Sequence, residues 1–190
     1  MAKKHNHNHL SPHDVPAGVI GLGLMGHSII ACLLSAGHPV IAVTRKLSEH
    51  RDSRRRVRQL LVQLRQEGLT VSEPAALMER LRLSERYEDL SNCGVVVESV
   101  LEDLETKREA YRRVEAVVPA RCIIGSNTSS IPVTILQAGA TRPERFVGIH
   151  WDEPAHVTRF MEIIAGEKTA PRYIKRLMTL AGAWGKEPSL

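Results

Sequence analysis

The chain has 190 residues, of which 43% are hydrophobic, so it is long enough for one globular domain with a sizeable core and is not of the disordered class. Its 26 basic and 21 acidic residues give a net charge of +5, which is compatible with a polyanionic partner. No apolar run reaches the roughly 18 residues of a membrane span and the start lacks a secretory signal, so we expect a cytoplasmic protein without a membrane partner.

The first 16 residues form a polar leader, which we exclude from the fold. Its histidines could bind a metal, but histidines alternating with asparagines in a polar stretch are typical of a tag or a frayed terminus. These histidines are His5, His7, His9 and His13. We expect a disordered or tag-like leader over residues 1–16 and one domain over residues 17–190.

The three cysteines lie far apart and without CxxC spacing. Such spacing indicates neither a zinc site nor a disulfide framework. We therefore expect no resident metal, and reduced, mostly buried thiols at Cys32, Cys93 and Cys122.

Residues 17–43 predict a βαβ unit. A short apolar strand comes first, a helix with one apolar face follows, and a second strand covers residues 40–43. Between the first strand and the helix lies Gly21-Leu-Gly23-Leu-Met-Gly26, in the position of a dinucleotide-binding loop.

Each glycine of this loop has a physical role in dinucleotide binding. Gly21 permits the tight turn, Gly23 lets backbone N–H groups reach the pyrophosphate, and Gly26 lets the helix pack on the strand. We predict that this loop, with Leu24 and Met25 between its last two glycines, contacts the cofactor. The alternative is a glycine turn with a purely structural role.

The end of the second strand gives conflicting signs about the cofactor. A fold that binds NAD commonly has an acid there to bind the adenosine ribose, whereas this strand ends in Thr44, Arg45 and Lys46. The two cations could pair with the 2′-phosphate of NADP, or Thr44 could still hydrogen-bond the ribose of NAD. These residues alone leave both cofactors open, with Thr44 and Arg45 as predicted contacts.

An arginine-rich stretch comes next. Residues 48–67 predict a helix, residues 73–82 predict a second helix, and we interpret residues 48–82 as an inserted helical arm. The arginines fit a solvated helix face or a phosphate-bearing substrate. Nucleic acid is a less favoured partner, and we expect none, because no aromatic residues interleave with the arginines. The predicted inner face of the first helix consists of Val57, Leu60, Leu61 and Leu64.

The remaining segments predict further strands and helices. Apolar runs at 95–100 and 122–125 flank an amphipathic helix at 104–118, and such runs suit strands covered on both faces. Strand-like segments at 145–151 and 158–164 follow, and then a helix over 171–183. The pattern predicts an α/β fold with a Rossmann-type, doubly wound, mostly parallel sheet.

Two ionisable residues occupy apolar, strand-like segments near the end of the chain. His150 closes one segment, where an open α/β sheet binds ligands, and Glu162 lies inside the next. An unpaired carboxylate among apolar residues is costly, so Glu162 needs a partner. If the two strands are neighbours joined around Pro154, a His150–Glu162 hydrogen bond satisfies both and orients the ring as a general base.

A polar cluster, Ser126-Asn-Thr-Ser-Ser130, follows the apolar run at 122–125. Parallel strands would bring it to the same sheet edge as His150. The cluster could cap a helix or contact a substrate hydroxyl, and the residues leave both open.

Four motifs occur in order along the chain: GLGLMG, VVVESVLEDLETKREAY, SNTSSIP and RFVGIHWDEPA, with a glutamate twelve residues after the histidine. In combination they resemble the NAD-binding domain of the L-3-hydroxyacyl-CoA dehydrogenases, over residues 17–190. The resemblance implies hydride transfer between a nicotinamide dinucleotide, NAD or NADP, and the C3 hydroxyl of a 3-hydroxyacyl-CoA, in fatty acid metabolism.

The resemblance also assigns roles. It implies that His150 and Glu162 are a catalytic dyad, that Ser129 bonds the substrate hydroxyl, and that Glu102, Lys107 and Asn127 lie beside the cofactor. The arginine-rich arm would match the family's helical projection that contacts coenzyme A.

Three departures stand out. The family usually has Asp at the position of Thr44. The family also usually reads H-F-F-N-P after the strand, whereas this chain reads His150-Trp-Asp-Glu-Pro154, so Glu153 stands in place of the Asn. The family chain continues into a helical domain that forms a homodimer and closes over the substrate. We expect that domain to be absent here, so that this chain offers half an active site and binds the cofactor better than it turns over substrate. Two rivals remain: an NADP-dependent β-hydroxyacid dehydrogenase, or a non-catalytic nucleotide-binding domain.

Overall fold

The computed structural model describes Ser11 and residues 15–190, except for the side chain of Leu47. The predicted leader therefore lies almost entirely outside the described residues, its four histidines included. Val15 and Pro16, which the prediction placed in the leader, belong to the fold. The Val15 side chain is 4% exposed and packs in the core, and the Pro16 carbonyl accepts a hydrogen bond from Gly94 N–H at 2.9 Å.

Eight strands form one sheet in the order β3-β2-β1-β4-β5-β6-β7-β8. The first six strands of the chain run parallel, β7 is antiparallel to β6, and β8 is parallel to β7. This arrangement confirms the predicted Rossmann-type sheet. The strands are β1 (Ala17–Ile20), β2 (Val40–Val43), β3 (Leu81–Ser84), β4 (Val95–Glu98), β5 (Ile123–Ser126), β6 (Phe146–Trp151), β7 (Phe160–Ala165) and β8 (Glu187–Ser189).

Helices cover the sheet through two separate apolar clusters. Val95 and Val97 of β4 belong to one cluster and Val96 to the other, because successive side chains of a strand point to opposite faces. Burial on both faces explains why the strands read as continuous apolar runs. The helices are α1 (Leu24–Ser35), α2 (His50–Gln66), α3 (Pro74–Glu79), α4 (Leu104–Glu115), α5 (Val133–Gln137) and α6 (Pro171–Ala183). Among the described residues, no helix has the length and apolarity needed to cross a membrane.

The arginine-rich segment packs along α1 rather than standing apart from the domain. Val57 and Leu61 of α2 are fully buried in the same cluster as the apolar face of α1, and Leu64 is 2% exposed. The predicted inner face is thus confirmed, with Leu60 at its partly buried margin. The basic side chains Arg51, Arg55, Arg56 and Arg58 stay exposed on the outer face.

The second helix of the arginine-rich segment, predicted over residues 73–82, is shorter in the structure. α3 ends at Glu79, and Leu81–Ser84 forms β3 at the sheet edge, in parallel register with β2. Burial alternates along this strand, with Leu81 buried and Arg82 exposed. Over four residues such alternation cannot be told from the tail of an amphipathic helix, and pairing with the open edge of β2 decides the outcome. The helical insertion therefore covers residues 50–79.

Among the α-helices and strands, α5 and β8 have no counterpart in the prediction. α5 has five residues and β8 has three, which is too short for either to show a periodic pattern. β8 adds one strand beyond β7. The three cysteines are free and buried, as predicted.

Candidate active site

The carboxyl ends of the parallel strands meet at one edge of the sheet. The strand order reverses between β1 and β4, and such a switch point is where open α/β sheets bind ligands. Small-molecule sites commonly measure about 300–1,000 Å³. The cleft here measures about 630 Å³. Its walls come from the glycine loop, the end of β2, the segment after β4 and the start of α4.

The glycine loop has the shape that a dinucleotide needs. Gly21 has a φ of +95°, and a Cβ there would lie 2.3 Å from the Ser99 carbonyl oxygen. A Cβ on Gly26 would lie 1.9 Å from the Gly21 carbonyl oxygen, so only glycine lets α1 begin this close to β1. A Cβ on Gly23, in contrast, would meet no atom within 4 Å. The space that faces Gly23, next to the N-terminus of α1, is open and fits a pyrophosphate.

The other two predicted loop residues begin α1. Leu24 is 70% exposed on the first turn, and Met25 packs against the core. Neither lines the cleft, whereas Leu22 does.

The end of β2 carries a feature that the sequence pattern does not predict. Thr44, Arg45 and Lys46 all line the cleft, as expected. The Thr44 hydroxyl donates a hydrogen bond to Glu49 Oε2 at 2.8 Å, so a carboxylate does stand at this strand end. Glu49 also lines the cleft. The only signal in the sequence is an acid five residues beyond Thr44.

The predicted pairing of His150 with Glu162 is present. β6 and β7 are antiparallel neighbours with His150 directly opposite Glu162. His150 Nδ1–H donates to Glu162 Oε2 at 2.6 Å. The side chains are 30% and 42% exposed, so the expectation that Glu162 is buried among apolar residues is wrong. Met161 and Ile163 face the core, while Glu162 shares the open face of β7 with Phe160.

This hydrogen bond fixes the chemistry of the ring. With Nδ1 donating to the carboxylate, the neutral ring carries its lone pair on Nε2, and Nε2 can accept a proton. The carboxylate then stabilises the imidazolium that forms.

A buried polar network lies beneath the cleft. Glu98, at the end of β4, is 0% exposed and accepts hydrogen bonds from Lys107 Nζ at 2.8 Å, Tyr111 Oη at 2.6 Å and Ser126 Oγ at 2.9 Å. Lys107 is also 0% exposed, so its side chain does not reach the cleft surface. Its ammonium instead bridges Glu98 and Glu102, at 2.8 and 3.1 Å. The sequence shows Glu98 within an apolar run, but its side-chain partners come from α4 and β5, and the Val100 backbone N–H donates to Oε1 at 2.7 Å.

Glu102 organises the polar loop after β5. One carboxylate oxygen accepts from Thr128 Oγ1 at 2.5 Å and from the backbone N–H groups of Ser129 and Ser130, both at 3.1 Å. The Ser129 side chain is exposed. α5 begins after Pro132 with no side-chain cap, so the alternative that this cluster caps a helix does not apply.

Asn127 links this loop to the dyad strand. Its Oδ1 accepts from Trp151 N–H at 3.1 Å, one residue beyond His150. Its Nδ2 donates to Ser99 Oγ at 3.4 Å, and Ser99 lines the cleft. Asn127 thus connects the loop that contains Ser129 with the strand of His150 and with the cleft beside the glycine loop.

The segment after β6 is fixed by contacts that the sequence pattern does not predict. Ser28 Oγ–H donates to His156 Nδ1 at 2.8 Å and accepts from His156 N–H at 3.1 Å. Lys186 donates to the carbonyls of Ala155 and Thr158. Asp152 and Glu153 stay exposed, and burial together with Asp152 raises the pKa of the Glu153 carboxyl.

The Glu102 carboxyl should contribute to acid stability. Partial burial alone would raise its pKa, but hydrogen bonds from Thr128, Lys107 and Ser130 outweigh burial and lower the pKa from 4.5 to about 2. Since the folded pKa lies below the unfolded one, this contribution is present above pH 4.5 and is lost as the pH falls toward 2. We expect Glu102→Gln to make the loss of stability over this range shallower, as measured by urea denaturation.

Thr128→Val serves as the partner experiment, because it removes one hydrogen bond to Glu102 and keeps the carboxyl. It should reproduce part of the change in slope. An acid dependence equal to that of the parent in both variants would contradict this account.

Among the described residues, no group of three or more His, Cys, Asp or Glu side chains could hold a metal ion.

The sequence profile described as "3-hydroxyacyl-CoA dehydrogenase, NAD binding domain" matches residues 16–189. The fatty acid oxidation complex subunit alpha of Psychrobacter arcticus is 33% identical over 190 residues, which cover 99% of this chain and 26% of that protein. The 5-formyl-3-hydroxy-2-methylpyridine 4-carboxylate 5-dehydrogenase of Mesorhizobium japonicum is 34% identical over 173 residues, which cover 90% of this chain and 55% of that protein.

Among solved structures, 3-hydroxybutyryl-CoA dehydrogenase from Escherichia coli matches with a TM-score of 0.86 at 28% identity, over 92% of this chain and 37% of that chain. The chain thus spans between about a quarter and just over half the length of these curated relatives.

Proposed function

Because this chain belongs to the 3-hydroxyacyl-CoA dehydrogenase family, as an NAD binding domain, we propose that it forms the cofactor-binding and catalytic-base part of an oxidoreductase. The reaction transfers hydride between a nicotinamide dinucleotide and the C3 hydroxyl of a 3-hydroxyacyl-CoA, in fatty acid oxidation. The observation that carries this proposal is the hydrogen-bonded His150–Glu162 pair at the same sheet edge as the open glycine loop.

The dyad performs the proton chemistry. In the oxidation direction, His150 Nε2 takes the proton of the 3-hydroxyl, and Glu162 stabilises the resulting imidazolium. In the reduction direction, the same nitrogen returns the proton to the developing alkoxide. The nicotinamide, when bound, supplies the hydride acceptor or donor.

The polar loop positions the substrate. Glu102 holds the backbone N–H of Ser129, which leaves the Ser129 hydroxyl exposed on the loop beside the dyad. We assign this hydroxyl to a hydrogen bond with the substrate oxygen. Lys107 acts indirectly, because its enclosed ammonium holds Glu102 in place.

The basic face of α2 suits a phosphate-bearing substrate. Arg51, Arg56 and Arg58 are exposed on this helix, and coenzyme A carries several phosphate charges. A homodimer belongs to the same proposal, through the helical domain that the family carries.

NAD is the proposed cofactor, in agreement with the family description. The exposed Arg45 and Lys46 at the cleft are the features that favour NADP.

A second candidate substrate is an alcohol that is not a CoA thioester. Asp152 and Glu153 are exposed just after the dyad strand, and their negative charge would disfavour an anionic substrate nearby. The name of the relative from Mesorhizobium japonicum describes a substrate without coenzyme A. Reduction of acetoacetyl-CoA by NADH supports the first candidate, whereas faster NADH-dependent reduction of a carbonyl compound without coenzyme A supports the second.

The cofactor part of the proposal can be tested at Gly23. A methyl group at this position meets no protein atom within 4 Å, so Gly23→Ala should fold as the parent does. The methyl would occupy the space of the pyrophosphate, and we expect NADH affinity to fall about tenfold or more in a fluorescence titration.

Gly182→Ala is the matched control, because Gly182 on α6 also faces open space and lies outside the cleft. It should bind NADH like the parent. Equal NADH affinity in Gly23→Ala and the parent, or no NADH binding by the parent, would refute the proposed cofactor site.

A further inference from the structure

The carboxylate of Glu49 lies at the end of β2, although the strand itself does not end in an acid. A single turn of 3-10 helix, Leu47–Glu49, reverses the chain after Lys46, and Glu49 N–H donates to the Lys46 carbonyl at 3.0 Å. The turn places the Glu49 side chain over the strand end, where the Thr44 hydroxyl donates to Oε2 at 2.8 Å.

The Thr44 hydroxyl orients this carboxylate toward the cofactor cleft. Thr44 is 6% exposed, so its hydroxyl is held in place by packing, whereas Glu49 is exposed and keeps acceptor capacity free for a ligand. Both residues line the same cleft as Gly21 and Gly23. The glycine loop thus faces the pyrophosphate position while Glu49 stands at the end of the next strand, where dinucleotide folds bind the adenosine ribose.

The charge of Glu49 discriminates between the two cofactors. A carboxylate accepts hydrogen bonds from the ribose hydroxyls of NAD and repels the 2′-phosphate of NADP. Arg45 and Lys46 line the same cleft with the opposite charge and would attract that phosphate if Glu49 were neutral.

We propose that Glu49, oriented by Thr44, is the residue that binds the adenosine ribose and makes the site selective for NAD(H) over NADP(H). The proposal rests on the proposed function, since it takes the cleft to be a dinucleotide site. It reconciles the basic Arg45-Lys46 pair with NAD as the cofactor.

The test is a titration of the full chain and its Glu49→Gln variant with NADH and with NADPH, followed by nucleotide fluorescence. The parent should bind NADH more tightly than NADPH. In Glu49→Gln we expect NADH to bind more weakly and NADPH more tightly, so that the ratio of their dissociation constants shifts about tenfold or more toward NADPH. Thr44→Val, which removes the orienting hydroxyl and keeps the carboxylate, should shift the ratio in the same direction by a smaller factor.

Glu105→Gln is the charge-matched control. Glu105 lies on α4 outside the cleft lining and pairs with Arg108 at 2.9 Å, so its loss changes the net charge equally without touching Thr44 or the cleft. The cofactor ratio in this variant should match that of the parent.

The outcomes separate this proposal from the proposed function. A parent that binds NADH but prefers NADPH overturns the role of Glu49 and leaves the dehydrogenase assignment in place. So does an unchanged ratio in Glu49→Gln, or an equal shift in Glu105→Gln. A parent that binds neither dinucleotide overturns both.

Discussion

Replacing His150 with Gln is expected to slow the reduction of acetoacetyl-CoA by about 10²–10⁴-fold, the usual contribution of a general acid or base, while NADH affinity stays unchanged. Glutamine keeps a polar side chain opposite Glu162 but cannot exchange a proton with the substrate. His150 lies on β6, outside the residues that line the cofactor cleft, so NADH binding should not depend on it. The measurement is the loss of NADH absorbance in a single turnover, beside a fluorescence titration with NADH.

Glu162→Gln is the informative companion to this variant. It keeps an acceptor for His150 Nδ1–H but removes the charge that stabilises the imidazolium, so its rate should fall between those of the parent and His150→Gln. If His150→Gln keeps most of the parent rate, the dyad is not the catalytic base. A loss of NADH binding that parallels the loss of rate would point instead to a structural role.

The second large effect concerns stability. Replacing Lys107 with Met is expected to lower the free energy of unfolding by about 3–5 kcal/mol, because it leaves the Glu98 carboxylate buried without its cation. Both side chains are 0% exposed and their charged atoms are 2.8 Å apart, so water cannot replace the lost partner. Urea denaturation at neutral pH measures the change.

Two further variants complete this experiment. Adding Glu98→Gln to Lys107→Met removes the uncompensated charge, and the double variant should be more stable than the sum of the single losses predicts. Arg55→Met breaks an exposed ion pair with Asp52 and should have only a small effect. A small effect of Lys107→Met, comparable to that of Arg55→Met, would contradict the importance of the buried pair.

Several strands of this fold can be predicted from local patterns in the sequence. Continuous apolar runs mark β1, β4 and β5, and the glycines at 21, 23 and 26 mark the turn into α1, because each signal arises from neighbours along the chain. β3 and β8 are not predictable in this way, since four and three residues show no period and their pairing depends on an open edge of the sheet.

The site shows the same division between local and distant contacts. The pairing of His150 with Glu162 can be proposed from the sequence, because a carboxylate among apolar residues needs a partner and the two strand-like segments follow one another closely. The exposure of Glu162 cannot, because it depends on whether anything covers the outer face of β7. The role of Glu49 cannot be predicted by looking for an acid at the end of β2. A single helical turn brings its carboxylate back to Thr44, which lies five residues earlier in the chain. The partners of Glu98 become visible only once α4 docks on the sheet.

The double hydrogen bond between Ser28 and His156 has a mechanical consequence. Ser28 lies in α1, two residues beyond the last glycine of the cofactor loop, and His156 lies in the segment that leads away from the dyad strand. Both side chains are more than nine-tenths buried, so this link is shielded from solvent. The link ties the start of α1, just after the glycine loop, to the segment that follows His150. We expect it to limit relative motion between the glycine loop and His150, and the rate of a reaction between bound groups depends steeply on their spacing.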